Sequence, residues 1–234
     1  MHPFRTRRVL NGCYTCEMEF FHVCNRGVEK REVFLDDGDR LRFVHDLYVL
    51  NDMRSAPNYI VKERQGERKR DLLVRVHAFC LLPNHYHLLL TEAAEAGISK
   101  FMQKLNMGYA KYFNEKYKRI GVLWQGVFKK VPIVRDAHFL YIPYYIHLNA
   151  LDMKFPEWRE GGVTNPREAL NYLCAYRWSS FLDYHGNRNF PAVLYMTDLK
   201  SVLGTEHRQR GEVQQIITSA SLASGASSIE FKPI

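Results

Sequence analysis

His85-Tyr86-His87 is the sharpest local pattern in the chain. On a strand, residues two apart project from the same face. Both imidazoles then stand side by side while Tyr86 points the other way. Paired neutral imidazoles are a donor set that metals use; the same triplet also fits two surface or core histidines. Tyr145 and Asn149 make a second pattern. Four apart on a helix, they share a face. The tyrosine can act as a nucleophile and Asn149 as a third, oxygen-donating ligand. Three ligands leave positions open on Mg²⁺ or Mn²⁺ for a phosphate oxygen. The chain holds 14 tyrosines, and Tyr141, Tyr144 and Tyr145 suit plain packing equally well. The chemistry such a set would serve is phosphoryl transfer, which needs in-line placement and charge neutralisation above all. A free tyrosine has a pKa of about 10, so little phenolate exists at neutral pH. No dedicated general base stands out.

These residues need elements to position them. Glu17 to Asn25 reads as a strand ending at Arg26-Gly27. Asp36 or Asp37 caps a helix whose apolar positions Leu41, Val44, Leu47 and Tyr48 recur at helical spacing. Ser55 to Arg70 is polar and reads as a surface excursion. Leu72–Leu82 and His85–Thr91 read as a hairpin turning at Leu82-Pro83-Asn84. After Gly97 an amphipathic helix carries Ile98, Phe101, Met102, Leu105, Tyr109, Tyr112 and Phe113 on one stripe. Val122–Val134 reads as a fourth strand with Gly126 inside it. Asp136 caps a last helix through His147, and Pro143 inside it should kink it, because its ring clashes with the carbonyl of Phe139. The order predicts an α+β fold, a ferredoxin-like βαββαβ antiparallel sheet with helices on one face, followed by the Tyr145 helix. That fold often presents its open sheet face to nucleic acid.

Residues 1–150 would form this domain, with an insertion at about 55–70, and 151–234 an extension packing on or next to it. In the extension Arg167–Ala175 reads as a short helix, Trp178–Tyr184 as a segment packing back on the core, and Ser219–Ser228 as a flexible low-complexity tail.

Composition narrows the classes. Of 234 residues 46% are apolar and 25% charged, ordinary for a globular protein. Folding at this size buries roughly 70–75% of the unfolded surface, so a core forms without staples and disorder is excluded as the main state. No apolar run reaches the ~20 residues of a membrane helix, and no signal peptide is visible. Five cysteines, Cys13, Cys16, Cys24, Cys80 and Cys174, lie at scattered spacing. That argues for a reducing cytoplasm rather than a disulfide framework. The lone Cys13-x-x-Cys16 fits a zinc site or two ordinary thiols. The net charge is +8. Between Lys100 and Val131, eight basic residues face one acid, Glu115, a local +7 with seven aromatics interleaved. Cations for phosphates and rings for unstacked bases describe a single-stranded nucleic-acid groove. A basic amphipathic helix with core aromatics gives the same pattern.

Several blocks together resemble the REP-associated tyrosine transposases, single-tyrosine HUH nucleases named for His, a hydrophobic residue, His. The segment Cys80-Leu81-Leu82-Pro83-Asn84-His85-Tyr86-His87-Leu88-Leu89-Leu90 resembles their signature. Phe21-His22-Val23-Cys24-Asn25-Arg26-Gly27 looks like the first strand. Phe101 to Asn106 with Tyr109 to Asn114 looks like the long helix, and Leu123 to Lys129 like the next strand. Tyr145-Ile146-His147-Leu148-Asn149 looks like the nucleophile helix, and Trp178-Ser179-Ser180 like a later aromatic motif. The blocks keep their order across residues 20–185.

The resemblance implies cleavage and rejoining of single-stranded DNA bearing a hairpin, through a 5′-phosphotyrosine. It implies a divalent metal, Mg²⁺ or Mn²⁺, held by His85, His87 and Asn149, with Tyr145 as nucleophile. Arg26, Lys129 and Lys130 would contact phosphate, and Trp124 would stack on a base or pack in the core. The protein would be cytoplasmic and nucleoid-associated, a monomer or dimer, with no membrane partner. The alternative is a hairpin-binding protein that does not cleave. Against the family pattern, Ala150 stands where relatives commonly have proline, and Tyr86 is bulky for the middle of the triplet.

Overall fold

The computed structural model describes residues 18–54 and 70–219. The Cys13-x-x-Cys16 pair, the Ser55–Arg70 stretch up to residue 69 and the Ser219–Ser228 tail beyond Ser219 lie outside the described residues.

Four strands form one antiparallel sheet: β1 (Phe20–Arg26), β2 (Val74–Leu82), β3 (His85–Glu92) and β4 (Lys129–Pro132), in the order β2-β3-β1-β4. With α1 (Asp37–Val49) after β1 and α2 (Gly97–Lys116) after β3, this is the ferredoxin-like arrangement. Asp36 starts α1 with a capping box: its Oδ1 accepts from Asp39 N at 2.8 Å, and Asp39 Oδ2 accepts from Asp36 N at 3.3 Å. Such a cap stabilises a helix by about 1 kcal/mol.

Alternation along the strands divides the core in two. Val23, Tyr86, Leu88 and Leu90 point to one face and pack against Phe43 and Leu47 of α1 and Phe101, Leu105 and Tyr109 of α2. Phe20, Ala78, Cys80 and Leu89 point to the other face. That second face is not open, contrary to the expectation from fold type. It is covered by α3 (Asp136–Leu148), through Phe139, Ile142, Tyr145 and Ile146, and by later segments including Trp158. The physical reason is in the strands: β2 (VRVHAFCLL) and β3 (HYHLLLTE) are apolar almost continuously, the pattern of strands buried on both faces.

The fourth strand is much shorter than the expected Val122–Val134. Residues 125–127, with Gly126 among them, bend away from strand geometry, and only an isolated bridge between Gly27 and Trp124 precedes β4. Asp136 is not the cap of α3. Arg135 holds that position without a side-chain bond, and Asp136 lies in the first turn, where its charge suits the helix dipole. Pro143 does not break α3, which continues through it to Leu148.

Beyond α3 come short turns at 149–153 and 156–160, then α4 (Pro166–Ala175), α5 (Phe181–Tyr184), α6 (Thr197–Leu203) and α7 (Glu206–Thr218). The Trp178–Ser180 segment runs along the free edge of β2. Leu81 N donates to Trp178 O at 2.9 Å, and Phe79 N donates to Ser180 Oγ at 2.9 Å. An edge paired in this way offers no template for association.

Candidate active site

His85 and His87 leave β3 on the face covered by α3, as the two-residue spacing predicts, while Tyr86 points into the opposite core. Their rings lie 5.0 Å apart at 80°. Asn84 Oδ1 accepts from His85 Nδ1 at 2.6 Å. An amide oxygen only accepts, so His85 Nε2 carries the lone pair. His87 Nδ1 bonds His22 Nε2 of β1 at 2.8 Å, with the two rings stacked 5.0 Å apart at 13°. His87 Nε2 is buried and has no hydrogen-bond partner among the described residues. In the tautomer in which Nδ1 donates to His22, that nitrogen presents a bare lone pair.

Burial, with Arg26 and Arg159 nearby, holds His85 down to about 3 and His87 well below the usual imidazole range; burial alone takes His22 to about 3. All three rings are therefore neutral at physiological pH, the state that binds metal.

α3 delivers Tyr145 directly against this pair. Its ring meets His22 at 5.8 Å and His87 at 5.9 Å, both edge-on, and it is 3% exposed. Tyr144, its sequence neighbour, turns instead toward Arg208 and Glu212 of α7, whose charges act on its hydroxyl. Tyr141, one turn earlier, lies 6.4 Å from Tyr145, and its hydroxyl is buried with no hydrogen-bond partner among the described residues. Asn149 ends α3 with Nδ2 donating to Tyr145 O at 2.6 Å. Its Oδ1 accepts from Arg159 Nη2 at 2.8 Å.

Three contributors escaped the sequence reading as site residues. His22 and Cys24 stand two apart on β1, facing His87 across the β1–β3 pairing. His22, Cys24 and His87 place one donor atom each within 4.8 Å of one another, the one such His/Cys/carboxylate group among the described residues. Burial pushes the Cys24 thiol up to about 12, although Lys129 acts against it. The alternation His22–Cys24 was readable, but nothing in the sequence says which face the strand turns to α3. Arg159 comes from the irregular segment after α3 and carries no sequence signal.

The expected DNA contacts separate. Lys129 pairs in register with Cys24 and so projects to the Tyr145 side of the sheet, exposed. Lys130 projects to the other side, with Nζ 3.2 Å from Glu92 Oε1 and 4.1 Å from the Phe21 ring centre. Arg26 lies beside His85 at the end of β1, its side chain partly buried. Trp124 packs on Tyr86 at 5.4 Å and on Tyr109 at 5.9 Å, and its Nε1 donates to Asn106 O at 3.0 Å. Its ring therefore belongs with the α1/α2 core, away from Tyr145.

The basic aromatic stretch resolves the same way. Phe101, Tyr109 and Phe113 are core residues, while Tyr112 and Tyr117 donate to the Asp39 carboxylate at 3.0 and 2.8 Å. The rings of α2 build the core rather than a stacking groove.

No helix among the described residues is long and apolar enough to cross a membrane. No curated protein matches the chain. A solved structure described as a REP-associated tyrosine transposase bound to a REP hairpin is similar with a TM-score of 0.45 and 15% identity, over 83% of this chain and 92% of that one. Residues 49–149, the span that carries His85, His87, Tyr145 and Asn149, match the family described as "Transposase IS200 like", and it is this family that the chain resembles.

Proposed function

We propose that the protein is a metal-dependent single-tyrosine endonuclease and strand transferase that cuts and rejoins hairpin-bearing single-stranded DNA. The observation that carries the reading is the approach of Tyr145 to within 5.9 Å, ring to ring, of a strand histidine whose outward nitrogen is buried and unpartnered. The preference for a hairpin follows from the sequence resemblance set out above.

Tyr145 Oη would attack the scissile phosphorus, forming the Tyr–O–P bond as the bond to the 3′ oxygen breaks. The phenol proton leaves to solvent, and the departing 3′ oxygen takes one up. The 3′-OH can later reverse the step. His85 Nε2, His87 Nε2 and the second lone pair of Asn149 Oδ1 would hold a divalent ion; the amide oxygen suits Mg²⁺ or Mn²⁺, and the two imidazoles favour the softer Mn²⁺ of the pair. When bound, that ion would neutralise charge on the phosphate. His22 keeps the His87 ring oriented, the usual task of the partner on a ligand's other nitrogen. Asn84 does the same for His85.

The test is a denaturing-gel assay with labelled single-stranded hairpin oligonucleotides, with and without Mn²⁺. A metal-dependent protein–DNA band, lost in Tyr145→Phe, is expected. An adduct that survives this change but disappears in Tyr141→Phe would move the nucleophile one turn along α3. A second reading, a hairpin-binding protein that does not cleave, draws on the 3% exposure of Tyr145. It predicts tight, salt-sensitive binding with no adduct in any divalent metal.

A further inference from the structure

Arg159 stands outside the span of the family match, in the short turn 156–160 of the extension. It nevertheless reaches two residues of the site, Asn149 and Tyr145. Its Nη2 donates to Asn149 Oδ1 at 2.8 Å. Its guanidinium lies 5.6 Å from the centre of the Tyr145 ring, within cation–π range. Two bonds anchor it to Asp152, from Nε to Oδ1 at 3.0 Å and from Nη2 to Oδ2 at 2.6 Å.

We infer that Arg159 is a positioning residue for the proposed cleavage, clamping the Tyr145 side chain and the Asn149 carboxamide into one fixed relation through the planar fork of its guanidinium. The inference rests on the reading of Tyr145 as nucleophile.

Asn149 shows why such a clamp matters. A carboxamide can turn over, exchanging its oxygen for its nitrogen. Here Nδ2 is committed to Tyr145 O and Oδ1 to Arg159, so the oxygen is held on one side. One lone pair accepts from Arg159 and the other stays available. Tyr145 closes the α3 end of the same clamp. Displacing a reacting group by about 1 Å costs on the order of 100-fold in rate, so a fixed nucleophile has direct value. The Arg159–Asp152 pair could instead be a plain brace between the turns 149–153 and 156–160. The two roles make different demands. A brace needs opposite charges at 152 and 159. A clamp needs the guanidinium at 159, because that is where Tyr145 and Asn149 are reached.

The experiment compares full-length wild type, Arg159→Ala, Arg159→Lys and the charge swap Asp152→Arg with Arg159→Asp. Three quantities are read: thermal stability, affinity for a labelled single-stranded hairpin, and single-turnover adduct formation at saturating DNA with Mn²⁺. Arg159→Ala should lower the adduct rate about 100-fold, by the misplacement argument above, with hairpin affinity changed less than about threefold. Added guanidinium should restore part of that rate. Arg159→Lys, which keeps charge but loses the fork, should remain at least tenfold slow. The swap should recover stability without recovering the rate. Recovery of the rate by the swap, or equal rates in wild type and Arg159→Lys, overturns the clamp. An absence of adduct in wild type overturns the nucleophile assignment and the clamp with it. That outcome is visible before any variant is made, so the two failures are distinguishable.

Discussion

The two faces of the sheet share the same strands and are built to opposite rules. On the α1/α2 face, β3 contributes Tyr86, Leu88 and Leu90, and the buried hydroxyls of Tyr86 and Tyr109 are closed off. Tyr86 Oη donates to Asn106 Oδ1 at 2.7 Å, and Tyr109 Oη donates to Val33 O at 2.5 Å. On the α3 face the alternate residues are His85, His87 and Leu89, joined by His22 and Cys24 from β1. There a buried nitrogen of His87 and the buried hydroxyl of Tyr141 lack hydrogen-bond partners among the described residues. A buried polar atom without a partner costs about 1–3 kcal/mol. One face bonds its buried tyrosine hydroxyls; the other leaves a histidine nitrogen and a tyrosine hydroxyl unmet beside Tyr145.

Two tyrosines give the sharpest test of that contrast. Tyr145→Phe should abolish the covalent adduct, a loss above about 1,000-fold, and change folding stability by less than about 1 kcal/mol, since Arg159 beside it keeps its bonds to Asn149 and Asp152. Tyr86→Phe should do the reverse. It removes the bond to Asn106 at a cost of about 1–2 kcal/mol and leaves adduct formation per folded molecule intact. Denaturant unfolding and the adduct assay on the same samples decide the matter; a Tyr86→Phe protein that folds normally and forms no adduct would break the division.

Neighbours on β3 extend it. Leu88→Ala should cost about 2–5 kcal/mol by emptying a closed core, with catalysis retained at low temperature. His87→Ala should eliminate Mn²⁺-dependent cleavage and cost less stability, because it also removes the unpartnered Nε2.

A smaller effect appears in pH. The buried histidines of the sheet, His22, His77, His85 and His87, lie toward the α3 face. His77 is the one to use, because it bonds Thr91 Oγ1 and Tyr195 O at 3.0 Å, away from Tyr145. Burial depresses it from 6.5 to about 3. The unfolded chain then binds its proton first as pH falls. Stability from this residue is complete above about 6.5 and declines toward 3, by at most about 1.4 kcal/mol per pH unit. His77→Gln should flatten the acid limb of a stability–pH curve; an unchanged limb would place acid sensitivity elsewhere.

The smallest effect separates two adjacent lysines. Lys129→Ala should weaken single-stranded DNA binding several-fold and lower the salt slope by about one, while Lys130→Ala, already tied to Glu92, should do neither.

Much of the fold was legible because its signals are local. The Asp36 cap, the α2 stripe after Gly97 and the hairpin around Pro83 each follow from spacing within a dozen residues. The alternation of His85, Tyr86 and His87 fixed that the two imidazoles share a face. The helical spacing of Tyr145 and Asn149 fixed that they travel together. The short β4 differs from the expected Val122–Val134 because apolar residues at 122–128 imitate a strand, while the bend at 125–127 is set by contacts distant in the chain.

What the sequence determined by itself was therefore which residues share a surface. Only the tertiary structure decided which surfaces meet. That α3 lies on the histidine face, that His22 pairs with His87, that Trp124 and the α2 rings serve the other core, and that Arg159 reaches back to Tyr145 are all contacts between residues distant in the chain. Periodicity carries no information about such contacts, because many arrangements bury the same stripes. Mutual packing selects one of them, and the site exists only in that one.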